Sequence, residues 1–132
     1  MALIVHKYGG TSVGTVERIH RVAERVERAQ KDGHQVVVVL SAMSGETDRL
    51  LKLAHEVTGA PDERELDMLL STGERVTIAL LAMELRGRGV NPRSFTGRQV
   101  GIHTDSAHTK ARISRVTADR IKEALSAGVI PV

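Results

Sequence analysis

At 132 residues the chain has the size of one domain and can bury roughly two-thirds of its unfolded surface. One Tyr, one Phe and no Trp leave the core to Val, Leu, Ile, Ala and Met, while the lack of Cys excludes disulfides and thiolate chemistry and predicts a reducing, cytoplasmic setting. The net charge of +3 is mild and lies mostly in the second half, where the near absence of stacking aromatics argues against nucleic acid as a partner, and no apolar run approaches the ~18 residues of a membrane span.

The chain opens on a strand pattern, not on the basic and apolar regions of a signal peptide. Residues 3–5 read as that strand. It runs into Lys7, Gly9, Gly10 and the hydroxyls of Thr11 and Ser12 before a helical pattern begins. Strand, glycine turn and helix start together let backbone N–H groups converge on an anion, and glycine allows close approach or a positive φ. Lys7 adds a positive charge beside this cradle. No G-x-x-x-x-G-K-[ST] or G-x-G-x-x-G motif occurs, and on spacing alone a lysine before two glycines is also an ordinary strand-end turn.

From Thr15, a predicted N-cap, Ile19, Val22, Ala23, Val26 and Ala29 recur at helical spacing, with Gly33 as the stop. Residues 36–40 are apolar on both faces, as in a central strand covered by helices on each side. The loop 41–46 then lies at a strand's carboxyl end, where open α/β sheets bind ligands. Thr47 or Asp48 can cap the next helix, which Gly59 and Pro61 end. Residues 62–70 read as a short helix and residues 74–86 as a longer one, with the break at Ser71-Thr72-Gly73 and Glu74 in the first turn of the second. Residues 92–96 and 112–116 are predicted strands separated by an irregular or hairpin-like excursion over 97–110. Thr117 caps a last helix that Gly128 stops, and residues 129–132 return to strand. Strand and helix alternate throughout, which predicts an α/β layered fold with a mostly parallel sheet. The six histidines (His6, His20, His34, His55, His103, His108) form no compact ligand set, so no metal site is predicted.

The string Lys7-Tyr8-Gly9-Gly10-Thr11-Ser12-Val13 resembles the K-[FY]-G-G-[TS]-S opening of aspartate kinases. Further matches follow in order: Ser41-Ala42-Met43 after the apolar strand, Thr47-Asp48, Leu69-Leu70-Ser71-Thr72-Gly73-Glu74-Arg75, Ser94-Phe95-Thr96-Gly97, Thr104-Asp105, His108 and Ala111-Arg112-Ile113. The resemblance covers essentially the whole chain. It implies a three-layer αβα sandwich of the amino-acid kinase or carbamate kinase kind. It also implies that the 132 residues are the N-terminal portion of a catalytic domain, in a chain about a third as long as the family's proteins, without the nucleotide-binding half or the regulatory domains. The last strand is then expected to be an exposed sheet edge that favours self-association.

The implied reaction is MgATP-dependent phosphorylation of the side-chain carboxylate of L-aspartate to 4-phospho-L-aspartate, the first step towards lysine, threonine and methionine. The nucleophile is already ionised near neutral pH, so positioning and charge stabilisation suffice and no general base is required. By the resemblance, Lys7 is catalytic and neutralises phosphate charge. Tyr8, Gly9, Gly10 and Ser12, with Thr11 as an alternative hydroxyl, bind the ATP phosphates. Ser41, Thr47 and Glu74 bind L-aspartate, with Glu74 on its ammonium group. Magnesium arrives with ATP, and no resident cofactor is implied. Read without the resemblance, Thr47 is also explained as a helix cap and Glu74 as an acid favoured at a helix N-terminus. Two alternatives remain beside the main reading: another kinase of the same fold acting on glutamate, acetylglutamate, carbamate or a nucleotide, or a non-catalytic fragment that binds ligand or pairs with a kinase subunit. The fragment by itself is expected to be inert or nearly so.

Overall fold

The first crossover sets the frame of the computed structural model, which describes residues 1–132. Strands β1 (Leu3–Tyr8) and β2 (Gln35–Leu40) run parallel, with Val5 opposite Val37 and Lys7 opposite Val39. A 3-10 turn (Gly10–Val13) and helix α1 (Val16–Lys31) connect them. Thr15 caps α1, its Oγ1 accepting the Arg18 N–H at 3.2 Å, and Gly33 supplies the left-handed turn at φ +88° that returns the chain to β2. Ile19, Val22, Ala23 and Val26 form the buried stripe of α1, and Val36, Val38 and Leu40 face it from β2.

Next come α2 (Glu46–Val57) and α3 (Glu63–Gly87), the latter bringing Leu81 and Leu85 into the same core with no remaining exposure. Each such leucine contributes on the order of 2 kcal/mol by burial. The rest of the chain is β3 (Pro92–Arg93), β4 (Ile102–Thr104), β5 (Ile113–Val116), α4 (Asp119–Ser126) and β6 (Ile130–Pro131). β3 and β6 are parallel, their ladder extended by the Phe95 N–H donating to Val132 O at 2.9 Å, and β6 lies against β2. β4 and β5 form an antiparallel hairpin with Ile102 opposite Val116. Helix α4 lies on the face opposite the core: Gln35, alternate to Val36, donates to Leu125 O at 3.3 Å. The result is a layered fold of helices and largely parallel strands, and no helix is long and apolar enough to cross a membrane.

Several expectations are corrected. The segments 62–70 and 74–86 are one continuous helix. The hydroxyls of Ser71 and Thr72 donate to the Met68 and Leu69 carbonyls one turn back and so cap nothing, and a glycine inside a helix costs only about 1 kcal/mol. Glu74 therefore sits mid-helix. Neither Thr47 nor Asp48 caps α2; Gly45 does so at φ +81°, leaving Thr47 in the first turn. Thr117 does not cap α4, which starts after Ala118 at φ +56°. On β2 the face turned to α4 is only partly covered, since Val39 is 46% exposed beside Val5 at 61%. The last strand is not exposed: Ile130 and Val132 are buried, with β6 paired to β3 and lying against β2, while β1 keeps one unpaired edge.

An ion network ties α1 to the end of α3. Arg88 donates to Glu84 at 2.7 Å and to Glu27 at 3.3 Å, lies 3.7 Å from Glu24, and His20 meets Glu84 at 3.0 Å. Hydrogen bonds from Arg88 and then His20 hold the Glu84 carboxyl below the usual range, and those from Lys31 and then Arg88 do the same for Glu27. Depressed carboxylates stabilise the fold above their unfolded pKa, and that stabilisation is lost as pH falls through the folded value. Arg88→Met is thus expected to lower Tm near neutral pH and to flatten the fall in Tm between about pH 5 and about pH 3, measured by thermal melts.

Candidate active site

Lys7 ends the exposed row Leu3, Val5, Lys7 on β1, next to Val39 and Val37 on the same face of β2. No carboxylate pairs with it. Gly9 is extended (φ −77°, ψ 171°), and a Cβ added there would meet nothing within 4 Å, so the space beside it is open. Gly10 differs: its Cβ would stand 2.8 Å from Ala42 O. Neither glycine uses a positive φ. The first closing bond of the 3-10 turn is Ser12 N–H to Gly9 O at 3.0 Å, which leaves the Gly10 and Thr11 N–H groups without an acceptor inside the turn. Thr11 and Ser12 are exposed, and Arg18 of α1 steadies the turn by donating to Thr11 O at 2.9 Å.

Tyr8 alternates to the other side of the sheet, packed against the core, its hydroxyl 3.2 Å from His6 Nδ1; burial pushes its phenol up. Its contribution at the strand end is its carbonyl, which accepts the Ser41 N–H at 3.1 Å.

The loop after β2 is wedged between two glycines. Buried Ala42 meets Gly10 on one side, where Ser44 N–H donates to Gly10 O at 3.2 Å. On the other side a Cβ at Gly73 would fall 2.9 Å from Ala42 Cβ. Thr77 follows one turn on, buried, its hydroxyl donating to Gly73 O at 3.2 Å. The glycine that reads as a helix break is where α3 meets the loop.

Glu74, the next residue, is exposed and has no ion-pair partner. It borders a cavity of about 560 Å³ whose wall includes Val37, Val39, Ser71, Arg75, Ile78 and Phe95, with Arg98 and Ile121 at its other side. Ser41, half-buried, directly follows Leu40 of that wall, and Thr47 stands exposed on the first turn of α2. The structure therefore gathers the glycine turn, the Ser41 loop and Glu74 around Ala42. It leaves the Tyr8 side chain on the far face. Sequence reasoning missed Arg75 and Arg98, two guanidiniums without carboxylate partners in the cavity wall. The spacing 71, 74, 75, 78 marks one helix face, a signal hidden by dividing α3 at Gly73. One free carboxylate and two free guanidiniums suit a ligand bearing both an ammonium and carboxylates. No three His, Asp or Glu side chains converge as a metal-ligand set.

The family model described as "Amino acid kinase family" matches residues 2–132. An aspartate kinase of Stutzerimonas stutzeri is 60% identical over 132 residues, and an aspartokinase of Pseudomonas aeruginosa 59%; each match takes in 100% of this chain and 32% of the relative. The chain thus spans about a third of the length of the curated relatives it matches. Aspartate kinase from Synechocystis has a TM-score of 0.83 at 47% identity, over 98% of this chain and 21% of that one. E. coli aspartokinase III in complex with aspartate and ADP has a TM-score of 0.81 at 23% identity, over 99% and 40%, a likeness of fold.

Ala42 leaves no room for side chains at its two glycine neighbours. Gly73→Ala is expected to destabilise by about 1–3 kcal/mol in urea denaturation, and Ala42→Gly introduced with it to recover part of that loss, giving a favourable coupling of at least about 0.5 kcal/mol.

Proposed function

Because the chain belongs to the amino acid kinase family, we propose that it carries the acceptor side of an aspartate kinase site. In this reading it holds L-aspartate beside Glu74 and meets the ATP phosphates at the Lys7 glycine turn. A side-chain carboxylate oxygen of L-aspartate attacks the γ-phosphorus in line. The bond to the bridging oxygen breaks, ADP leaves, and 4-phospho-L-aspartate forms. The attacking carboxylate has an ordinary pKa of about 4, so it needs no base. What the site must supply is position and positive charge. Lys7 would take up charge on the transferring phosphoryl group, with the free Gly10 and Thr11 N–H groups and the Ser12 hydroxyl beside it. Glu74 would hold the substrate ammonium, with Ser41 and Thr47 on a carboxylate and Arg75 balancing charge across the cavity. Magnesium would come with the nucleotide, since no three carboxylate or imidazole side chains of this chain converge to hold it as a resident ion.

The observation that carries this reading is the convergence, through Ala42, of a glycine turn beside an unpaired lysine and an unpaired glutamate at a cavity. The adenine and ribose contacts are assigned to residues outside these 132, so the chain alone is expected to show no turnover. The reaction and the lack of thiols suit a cytoplasmic setting. Self-association is assigned to the unpaired edge of β1.

The test is a chimera in which these 132 residues replace the matching part of the Pseudomonas aeruginosa aspartokinase, assayed by trapping the acyl phosphate with hydroxylamine. The chimera is expected to form hydroxamate from MgATP and L-aspartate. Glu74→Gln should raise KM for L-aspartate about 100-fold, and Lys7→Met should lower kcat by about 100-fold or more. A folded chimera that is inert, or one indifferent to both substitutions, contradicts the reading.

A further inference from the structure

The turn after β1 is held by one side chain. Arg18, in the first turn of α1, donates from Nη1 to Thr11 O at 2.9 Å, and no other side-chain hydrogen bond reaches residues 9–14. The backbone N–H of Arg18 goes to the Thr15 cap at 3.2 Å, so main chain and side chain of this residue both reach back toward the turn. The adjacent acid, Glu17, is taken by Arg21 at 2.6 Å, and no carboxylate pairs with Arg18. A guanidinium carries several N–H donors in a planar fork. Arg18 spends one of them on a neutral carbonyl and keeps its full charge at an exposed position.

What Arg18 holds decides how the free amides are oriented. Every peptide bond of the chain is trans, so the N–H and C=O of one peptide lie on opposite sides of its plane. The Gly10–Thr11 peptide is anchored at its carbonyl by the Ser44 N–H at 3.2 Å, which turns the Thr11 N–H away from the Ser44 loop. In the next residue the Ser12 N–H donates to Gly9 O at 3.0 Å, while Thr11 O accepts from Arg18, with the Gly14 N–H a longer partner at 3.4 Å. Ser44 and Arg18 therefore fix the peptide planes on either side of the Thr11 Cα. Lys7 stands near the end of β1, also without a carboxylate partner. The turn thus meets one unpaired cation from the strand before it and one from the helix after it.

We propose that Arg18 is a positioning residue for phosphate at this turn: through the Thr11 carbonyl it fixes the amides that receive the anion, and its charge draws the triphosphate from the helix side as Lys7 does from the strand side. That a phosphate group occupies the turn rests on the aspartate kinase reading; that Arg18 fastens the turn does not. A carboxylate partner would cancel the field of the guanidinium at the turn, whereas a carbonyl leaves it in place, which is why this arginine suits an anion and those of the α1–α3 ion network do not. Lysine at this position keeps the charge and a donor; methionine keeps only the apolar stem.

Inorganic tripolyphosphate titrated into the 132-residue chain, read by the amide shifts of Gly10, Thr11 and Ser12, tests the proposal. Arg18→Met is expected to weaken binding about tenfold and Arg18→Lys less than about threefold, with the gap between the two variants closing as salt is raised. Lys7→Met serves as the reference and should weaken binding as well. In the Arg18→Met chain, exchange at the Ser12 amide should speed up about fivefold, while unchanged exchange at Val22 and Val26 shows that α1 is intact. In the kinase chimera, Arg18→Met should raise KM for MgATP about tenfold and leave KM for L-aspartate within about twofold, a split that a general loosening of the fold does not give. Unchanged tripolyphosphate affinity in Arg18→Met, where Lys7→Met weakens it, overturns the proposal, and so does a loss that Arg18→Lys shares in full. If Lys7→Met is silent too, the phosphate reading of the turn has failed, and the Ser12 exchange rate decides the fastening independently.

Discussion

Everything at the candidate site depends on one close approach: Ala42 packed between the backbones of Gly10 and Gly73. A methyl group at Gly10 would reach 2.8 Å from the Ala42 carbonyl oxygen, and one at Gly73 would reach 2.9 Å from its Cβ. Side chains cannot come that close, so only two glycines let the turn after β1, the loop after β2 and the middle of α3 share one spot. From that spot the remaining positions follow. Lys7 precedes the first glycine by three residues, Ser41 precedes the alanine by one, and Glu74 follows the second glycine directly. The stability of the fold and the geometry of the site therefore rest on the same atoms.

The two faces of the β1–β2 layer do different work. Val36, Val38 and Leu40 close the core with α1 and α3, while Val37 and Val39 line the cavity on the other face, where Lys7 stands opposite Val39 in register. A parallel pair in register makes this division automatic, because alternation sends every second residue to the same face. It also explains why a lysine can stand at the end of a valine-rich strand without a partner. For the proposed reaction this is a suitable economy. The acceptor is a carboxylate that is already charged, so the chain needs donors and cations held in place, and a relay of acid and base would add nothing.

Much of this was legible in the sequence, and the failures have identifiable causes. The strand, the Lys7 turn and the Thr15-capped helix could be read because local signals agree there with the tertiary structure. The Ser71-Thr72-Gly73 segment misled because serine, threonine and glycine are the usual punctuation between helices, whereas here the hydroxyls bond within the helix and the glycine answers a distant alanine. That error concealed the face carrying Ser71, Glu74, Arg75 and Ile78, and with it the cavity. Gly45 and Ala118 took the caps assigned to Thr47 and Thr117, since backbone conformation rather than side-chain oxygen starts those helices. The burial of the last strand, paired to β3 and lying against β2, is a non-local fact that no window of sequence contains.

The most direct test of the account is a titration of L-aspartate into the isotopically labelled 132-residue chain, read by amide chemical shifts. A partial site should bind weakly, with a dissociation constant on the order of millimolar. The account predicts that Ser41, Thr47, Glu74 and Arg75 shift together, that L-glutamate moves them less, and that Glu74→Gln abolishes the response. A well-folded spectrum in which these residues stay still, or in which the shifts gather away from Ala42 and its two glycines, would contradict it.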